Sequence, residues 1–417
     1  VYIQGDTTFQ LKIYPEIQND SIKEDIVSLI ADFNGDRKND LIVGTGGADF
    51  FNEMNPLTNS YYMANDSTFV KKDFPELFEN TSVLLKLDYD HDNDLDIFVC
   101  NQSISADYGN KPNSYPLENI QGGFKIADNN PFENLGMITD AIVTDFNNDG
   151  WEDLLFVGEW MSPRFFQNKN GTFTEIYPLE NEKLNGLWQA VTSFDIDGDG
   201  DLDYLLGNWG LNTKFSTSEK FPMKMYYGDF DNNGATETIV STNKDGLDFP
   251  IDGLKELSSQ MVSLRKKFTS YTSFAGKSME EILGKEELSN ADIMKVHTLS
   301  SGYLQNDNGV FSFIPFNFEL QTAPIMAFLK YDFNGDNKPE ILAAGNYFGI
   351  KPYHGRLDSF PGALIYTANN VTLANQIGLD LMGKSIRNMN IIQLNNNDYL
   401  LLTFNNEAAQ VYKLQKQ

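Results

Sequence analysis

The sequence predicts an all-β protein, a β-propeller of seven blades, or of eight if the opening hairpin has lost a partner. It reads as one domain over residues 1–417, with a helical insertion at 254–293. Three observations carry this. Six acidic loops of one design recur along the chain. Each lies between two short runs of β-branched and aromatic residues. A second, weaker hairpin follows several of them. Two hairpins make a four-stranded antiparallel unit of roughly fifty residues, and radial repetition of such units gives a propeller.

The loops place oxygen side chains at positions 1, 3, 5 and 9. They are Asp32, Asn34, Asp36 and Asp40; Asp88, Asp90, Asp92 and Asp96; Asp145, Asn147, Asp149 and Asp153; Asp195, Asp197, Asp199 and Asp203; Asp229, Asp231, Asn233 and Glu237; and Asp332, Asn334, Asp336 and Glu340. Position 7 (Lys38, Asp94, Trp151, Asp201, Ala235 and Lys338) offers its main-chain carbonyl. Such an all-oxygen set suits Ca²⁺, which takes six to eight oxygens in a flexible geometry, so up to six ions are expected. An ordinary Asx turn explains one such loop, but not acids at both position 5 and position 9 in six. An EF-hand needs a glutamate at position 12, where this chain has Val43, Val99, Phe156, Leu206, Val240 and Ala343. Position 6 calls for a positive φ. Gly150, Gly200 and Gly234 supply it freely, Asn93 and Asn337 tolerate it, and Arg37 fits poorly. The Asp32 loop is therefore expected to be the most strained. The Asp88 and Asp195 loops, with four carboxylates each, are expected to bind tightest.

The flanking runs read as strands. Ile26 to Ala31 precedes the first loop and Leu41 to Gly44 follows it, and the other five loops repeat this. Second hairpins lie at Tyr61 to Val70, Arg164 to Phe173 and Gly302 to Phe311, and Val1 to Phe9 has the same look. Loop starts are separated by 56, 57, 50, 34 and 103 residues. The interval of 34 is too short for a full unit, so a blade there is abbreviated or shares strands. The interval of 103 holds Leu254, Leu257, Met261, Leu264 and Phe268 at helical spacing, then a second helix at Met279 to Leu288. A degenerate seventh copy without acids runs from Asn390 to Leu402.

The net charge is −28, and twenty acids occupy the ligand positions of the six loops. Without metal these would repel one another. Such acidity also argues against nucleic acid, whose binders carry basic stripes. A hydrophobic fraction of 41% is ample for a core, which excludes a disordered acidic tail. The single cysteine, Cys100, sits in the apolar run Ile97 to Cys100 and reads as a core residue. No run of eighteen apolar residues predicts a membrane span. The chain opens inside a strand-like segment, so the native start is expected upstream.

Segments such as Thr144-Asp145-Phe146-Asn147-Asn148-Asp149-Gly150-Trp151-Glu152-Asp153-Leu154-Leu155-Phe156-Val157-Gly158 resemble FG-GAP/VCBS repeats, the family of the calcium-bearing blades of integrin α-subunit propellers. With Gly207 to Lys214, the arrangement from about Ser21 onward is similar to the second propeller of cartilage-acidic-protein and UnbV-type surface proteins, frequent in Bacteroidetes. The resemblance implies an exported protein at the bacterial cell surface or outside it, often lipid-anchored through an upstream cysteine or part of a larger outer-membrane assembly.

The segments leaving the second strands are expected to meet at the mouth opposite the acidic loops. They are rich in aromatics, amides and cations, and Trp160, Trp209, Lys214, Tyr347 and Arg356 are the candidate contacts for a protein or glycan. Three function classes follow: a non-enzymatic binding module; a carbohydrate-active hydrolase or lyase using that mouth; and a structural subunit docking through the helical insertion. Enzyme chemistry has thin support. Of the three histidines, His91 lies in a metal loop, His297 before a strand and His354 in a mouth loop near Tyr353 and Arg356. No zinc-protease or serine-hydrolase motif is present. An exposed apolar stripe on the insertion would favour the docking subunit.

Overall fold

The computed structural model describes residues 1–5, 8–128, 130–179 and 183–414. Residues 6 and 7 of the opening segment lie outside them; the strands Tyr2–Gln4 and Phe9–Leu11 pair as a two-stranded sheet.

Six antiparallel sheets follow one another. Sheet one holds Glu24–Ala31, Asp40–Gly46, Ser60–Ala64 and Phe69–Lys72; sheet two holds Asn80–Leu87, Asp96–Ser103, Tyr115–Ile120 and Gly123–Ile126. Sheet three holds Met137–Thr144, Asp153–Met161, Arg164–Lys169 and Thr172–Ile176, with Gly186–Leu187 added beside its second strand. Sheet four is Ala190–Phe194, Asp203–Gly207, Gly302–Asp307 and Val310–Pro315. Sheet five is Ile325–Tyr331, Glu340–Gly345, Ala363–Thr367 and Asn370–Leu373, and sheet six has three strands, Ile386–Leu394, Asn397–Phe404 and Glu407–Lys413. The fold is all-β and propeller-like. No helix is long and apolar enough to cross a membrane.

The core is distributed between sheets rather than gathered at a centre. Phe33, Tyr61 and Leu117 join sheets one and two; Phe98, Phe132 and Phe156 join two and three; Phe165, Tyr204 and Leu304 join three and four. Leu205, Ile325 and Phe360 join four and five, and Leu342, Met389 and Leu400 join five and six. Each unit thus depends on its neighbours for burial, as repeat architectures do. Cys100 is fully buried in one of these layers, as a core residue should be. The far face of sheet one leaves Ile26 and Ile30 exposed, at 53% and 56%.

The hydrogen bonds also run between sheets. Bulges interrupt the first strand at Thr81/Val83 in sheet two and at Ile138/Asp140 in sheet three. A bulge turns one residue out of the ladder. Ser82 uses this freedom to donate to Ile138 O at 2.6 Å, and Thr139 to donate to Trp188 O at 2.8 Å.

The interval of 34 residues has a different cause from the one expected. No blade there is abbreviated. The chain leaves sheet four after Gly207, builds a separate four-stranded sheet, and returns at Gly302 to complete sheet four. The inserted sheet has the order Leu247–Pro250, Glu237–Lys244, Met223–Gly228 and Asp292–Val296. Beside the opening two-stranded sheet, pairing among the described residues therefore gives six sheets in series and one inserted sheet, which packs against sheet three through Met137, Leu187, Met223 and Val296. Short helices between Leu254 and Asn290 are part of this longer excursion. Leu254, Leu257, Met261, Leu264 and Phe268 are buried against Tyr226, Phe230 and Ile239 of the inserted sheet. The helical stripe is thus covered within the chain itself.

Candidate functional site

Each acidic loop closes on a cross-strand pair formed by the residue before position 1 and position 9. These pairs are Ala31 with Asp40, Leu87 with Asp96, Thr144 with Asp153, Phe194 with Asp203, Gly228 with Glu237 and Tyr331 with Glu340. Inside the loop the side chains turn back on the main chain. Asp195 accepts from Gly198 N and Gly200 N, Asp197 from Asp199 N, and Asp199 from Asp201 N. The same ladder recurs in the Asp332 loop. It needs a left-handed residue at position 6, and there φ is 68° at Arg37, 72° at Asn93, 87° at Gly150, 98° at Gly200, 86° at Gly234 and 68° at Asn337. Arg37 is the one long side chain in that set, so the Asp32 loop holds the residue least suited to the conformation.

In four loops three carboxylate oxygens lie within 4.8 Å of one another: Asp88, Asp90 and Asp96; Asp195, Asp197 and Asp199; Asp229, Asp231 and Glu237; Asp332, Asp336 and Glu340. These clusters can hold a metal ion. Among the described residues the Asp32 and Asp145 loops form no such cluster of three. Buried atoms within the loops support the fit. Asp88 Oδ1, Asp94 Oδ1 and Asp231 Oδ1 are shielded from solvent and have no hydrogen-bond partner. Burial and the neighbouring Asp92 and Asp90 push Asp94 up to about 6, and burial pushes Asp96 and Asp153 up to about 7. A cation among these groups would relieve both the repulsion and the missing hydrogen bonds. The spacing assigns position 7 only a carbonyl, so the shielded Asp94 carboxylate is an addition to the expected set. The side chain of Lys38, by contrast, pairs with Asp66 at 2.8 Å.

Position 9 has a second task. Asp203 is fully buried and accepts from Ile196 N at 3.0 Å and from Asn306 N, on the third strand, at 2.8 Å. Asp40 does the same with Phe33 N and Ala64 N, and Asp96 with Tyr89 N and Asn119 N. The third strand answers with a buried asparagine. Asn119 donates to Phe33 O in the preceding loop and to Leu95 O, and accepts from Gly122 N. Asn168 donates to Tyr89 O at 2.8 Å and Glu152 O at 3.2 Å, and accepts from Gly171 N at 3.0 Å. Neighbouring loops are thereby tied together. His91 of loop two also stacks on Trp151 of loop three at 3.8 Å, and Glu152 accepts from Asp88 N. Sequence reasoning misses these asparagines. Their signal is the Asn-x-x-Gly spacing repeated at 119–122, 168–171 and 306–309.

The fifth loop is not on the same face as the others. Tyr227 OH and Thr236 Oγ1, beside the Asp229 loop, donate to Asp107 at 2.8 and 2.7 Å. Asp107 follows Asp96–Ser103, at the end of that strand away from its own acidic loop. The expectation of six loops on one face fails because the inserted sheet is oriented independently of the series.

At that opposite end the strand exits converge on a cleft of about 370 Å³, where Trp160, Trp209 and Tyr347 meet Phe215, Ile350 and Leu187. Trp160 is 6% exposed and donates through Nε1 to Tyr108 OH at 3.2 Å; it both fills the core and lines the cleft. Lys214 stays beside Phe215, donating to Tyr353 O. Arg356 is not brought in. It stacks over Phe348 at 4.1 Å and lies 3.5 Å from Asp358. Glu159, Asp252, Lys351 and His354 are cleft residues that the sequence does not mark as ligand contacts. The Asp252 carboxylate takes hydrogen bonds from Lys351 Nζ and Tyr353 OH. His354 Nε2 stands 3.7 Å from Asp252, and burial holds its pKa below the usual histidine range.

One further acid bears on stability. Asp140, in the bulge of sheet three, accepts from Ala141 N and Val191 N, yet burial pushes it up to about 7. Its folded pKa lies above the unfolded value, so the native state holds more protons between about pH 4 and pH 7 and stability falls as pH rises through that window. Some of its surface remains accessible. The total loss is therefore expected nearer 2 than the ~4 kcal/mol that three pKa units would give. Asp140→Asn removes this titration. Urea unfolding at saturating calcium should show the wild-type minus variant difference falling from pH 4 to 7 and flat above. A difference independent of pH would refute the assignment.

Residues 145–206, which hold the third and fourth acidic loops, match the FG-GAP-like repeat family. No curated protein matches the chain in sequence. Among solved structures, BBS1N, crystallised in complex with ARL6DN and soaked with mercury, is similar at a TM-score of 0.36 and 11% identity, over 95% of this chain and 94% of that one. The V. cholerae biofilm matrix protein Bap1 is similar at a TM-score of 0.32 and 12% identity, over 94% of this chain and 88% of that one.

Proposed function

We propose that the protein is a calcium-stabilised, non-enzymatic propeller-type binding module of the bacterial surface or exterior, and that it recognises a protein or glycan partner at the cleft. Calcium in the convergent Asp88, Asp195 and Asp332 loops, with the Asp32 and Asp145 loops as weaker sites, stiffens the hairpins at one end of the serial sheets, and the Asp229 loop takes its ion within the inserted sheet. The opposite end is left free to present side chains. The observation that carries this reading is the meeting of Trp160, at the end of the strand Asp153–Met161, with Trp209 and Tyr347, from two further strand exits, in one cleft. Rigid aromatics on a fixed scaffold suit recognition. Burial of the helical stripe within the insertion removes the feature that would have favoured a docking subunit. An enzymatic reading would need a nucleophile or base set against a bond, and Tyr353 is instead engaged with Asp252.

A glycan array and a pull-down from surface extracts test the reading. Trp209→Ala should abolish capture or weaken it by at least about tenfold, since a hot-spot aromatic contributes on the order of 2 kcal/mol. Arg356→Ala, outside the cleft, should leave capture unchanged. Capture that survives Trp209→Ala would overturn the placement of the site.

A further inference from the structure

We propose that the cleft takes a soluble quaternary ammonium ligand of the choline type, with its methyl groups against Trp209, Tyr347 and Trp160 and its charge facing Glu159. This deepens the reading of the cleft as a binding site and rests on it.

The charge inventory comes first. Glu159 Oε2 accepts from Tyr108 OH at 2.7 Å and Oε1 accepts from Gln189 Nε2 at 3.0 Å. Both donors are neutral, and among the described residues no lysine or arginine forms an ion pair with Glu159. The other charged residues of the cleft cancel: Lys351 Nζ lies 2.6 Å from Asp252. His354 adds no charge near neutral pH, since burial lowers its pKa. One carboxylate is thus left without a cation in a largely apolar, aromatic wall.

The rings supply the rest. The Trp209 and Tyr347 rings are 6.0 Å apart at 39°, and Phe215 stands 6.2 Å from Trp209. Arg387 rests 5.8 Å from the Tyr347 centroid but lies outside the cleft lining and forms no ion pair with Glu159. A small hydrated metal ion needs several oxygen ligands, which this wall lacks. A quaternary ammonium brings diffuse charge and methyl groups, the combination aromatic faces bind well. The cleft volume of about 370 Å³ has room for it.

The purified full chain, with calcium present, is titrated with choline and with its neutral isostere 3,3-dimethyl-1-butanol, following tryptophan fluorescence and heat. Choline should saturate and the isostere should bind about tenfold more weakly or not at all. Glu159→Gln should erase that preference and Trp209→Ala should abolish binding, with thermal melts confirming that both variants fold. Equal binding of the isostere, no binding of choline, or binding only to phosphatidylcholine vesicles would each overturn the proposal. If a captured partner depends on Trp209 while choline neither binds nor competes, the cleft remains the binding site and only its ligand class falls. If choline binds and capture survives Trp209→Ala, the ligand class stands and the site of macromolecular recognition is elsewhere.

Discussion

Chelation by EGTA is expected to lower the thermal midpoint by about 10 °C or more, and restored calcium to recover it. The magnitude follows from linkage. A site held at one hundred times its dissociation constant adds about 2.7 kcal/mol, so four sites add roughly 11 kcal/mol. Unfolding entropy for a chain of this size is roughly 0.9 kcal/mol per kelvin, which converts that loss to about 12 °C. The four convergent clusters and the unpartnered oxygens of Asp88, Asp94 and Asp231 are the structural basis. Scanning calorimetry in calcium and in EGTA measures the effect directly. Asp195→Ala with Asp197→Ala should remove one ion by elemental analysis. A midpoint indifferent to EGTA would refute the calcium reading of the loops while leaving the sheet arrangement untouched.

The second large effect is expected at Asn168. Its side chain is fully buried and makes three hydrogen bonds, two to carbonyls of loops two and three and one from Gly171. Asn168→Ala removes all three at once. Buried groups left unpaired cost about 1–3 kcal/mol each, so a loss of about 3–5 kcal/mol is expected after local relaxation. Because Tyr89 O belongs to loop two and Glu152 O to loop three, calcium affinity should fall at both loops. Urea unfolding gives the stability change, and calcium titration by calorimetry gives the affinities. A change below ~1 kcal/mol would mean that water replaces the side chain and that the latch is dispensable.

The acidic hairpins are legible in the sequence because their geometry is local. Positions 1 to 9 lie within one turn, so the spacing of Asp195, Asp197 and Asp199 fixes which oxygens can meet. The left-handed position is visible through Gly150, Gly200 and Gly234 for the same reason. The four-stranded units are also readable, since alternating apolar runs and tight turns act over a few residues. Trp209 and Tyr347 can be nominated because each follows a second strand, and Trp160 because it lies at the end of one. Arg356 is nominated on the same ground but lies outside the cleft lining, because a side chain's direction after the strand depends on its neighbours, here Phe348 and Asp358.

What the sequence determined by itself was therefore the repeating hairpin, its clustered carboxylates and the all-β class, all set by interactions within a dozen residues. Tertiary structure decided which hairpins stand in series. The return of the chain at Gly302 to pair with Asp203–Gly207 spans almost a hundred residues, and no local pattern encodes that pairing. It also decided that the Asp229 loop faces Asp107, that Asn168 ties loop two to loop three, and that Glu159 is left without a cation beside aromatic rings. These contacts join segments far apart in the chain, and only packing of the sheets against one another brings them within reach.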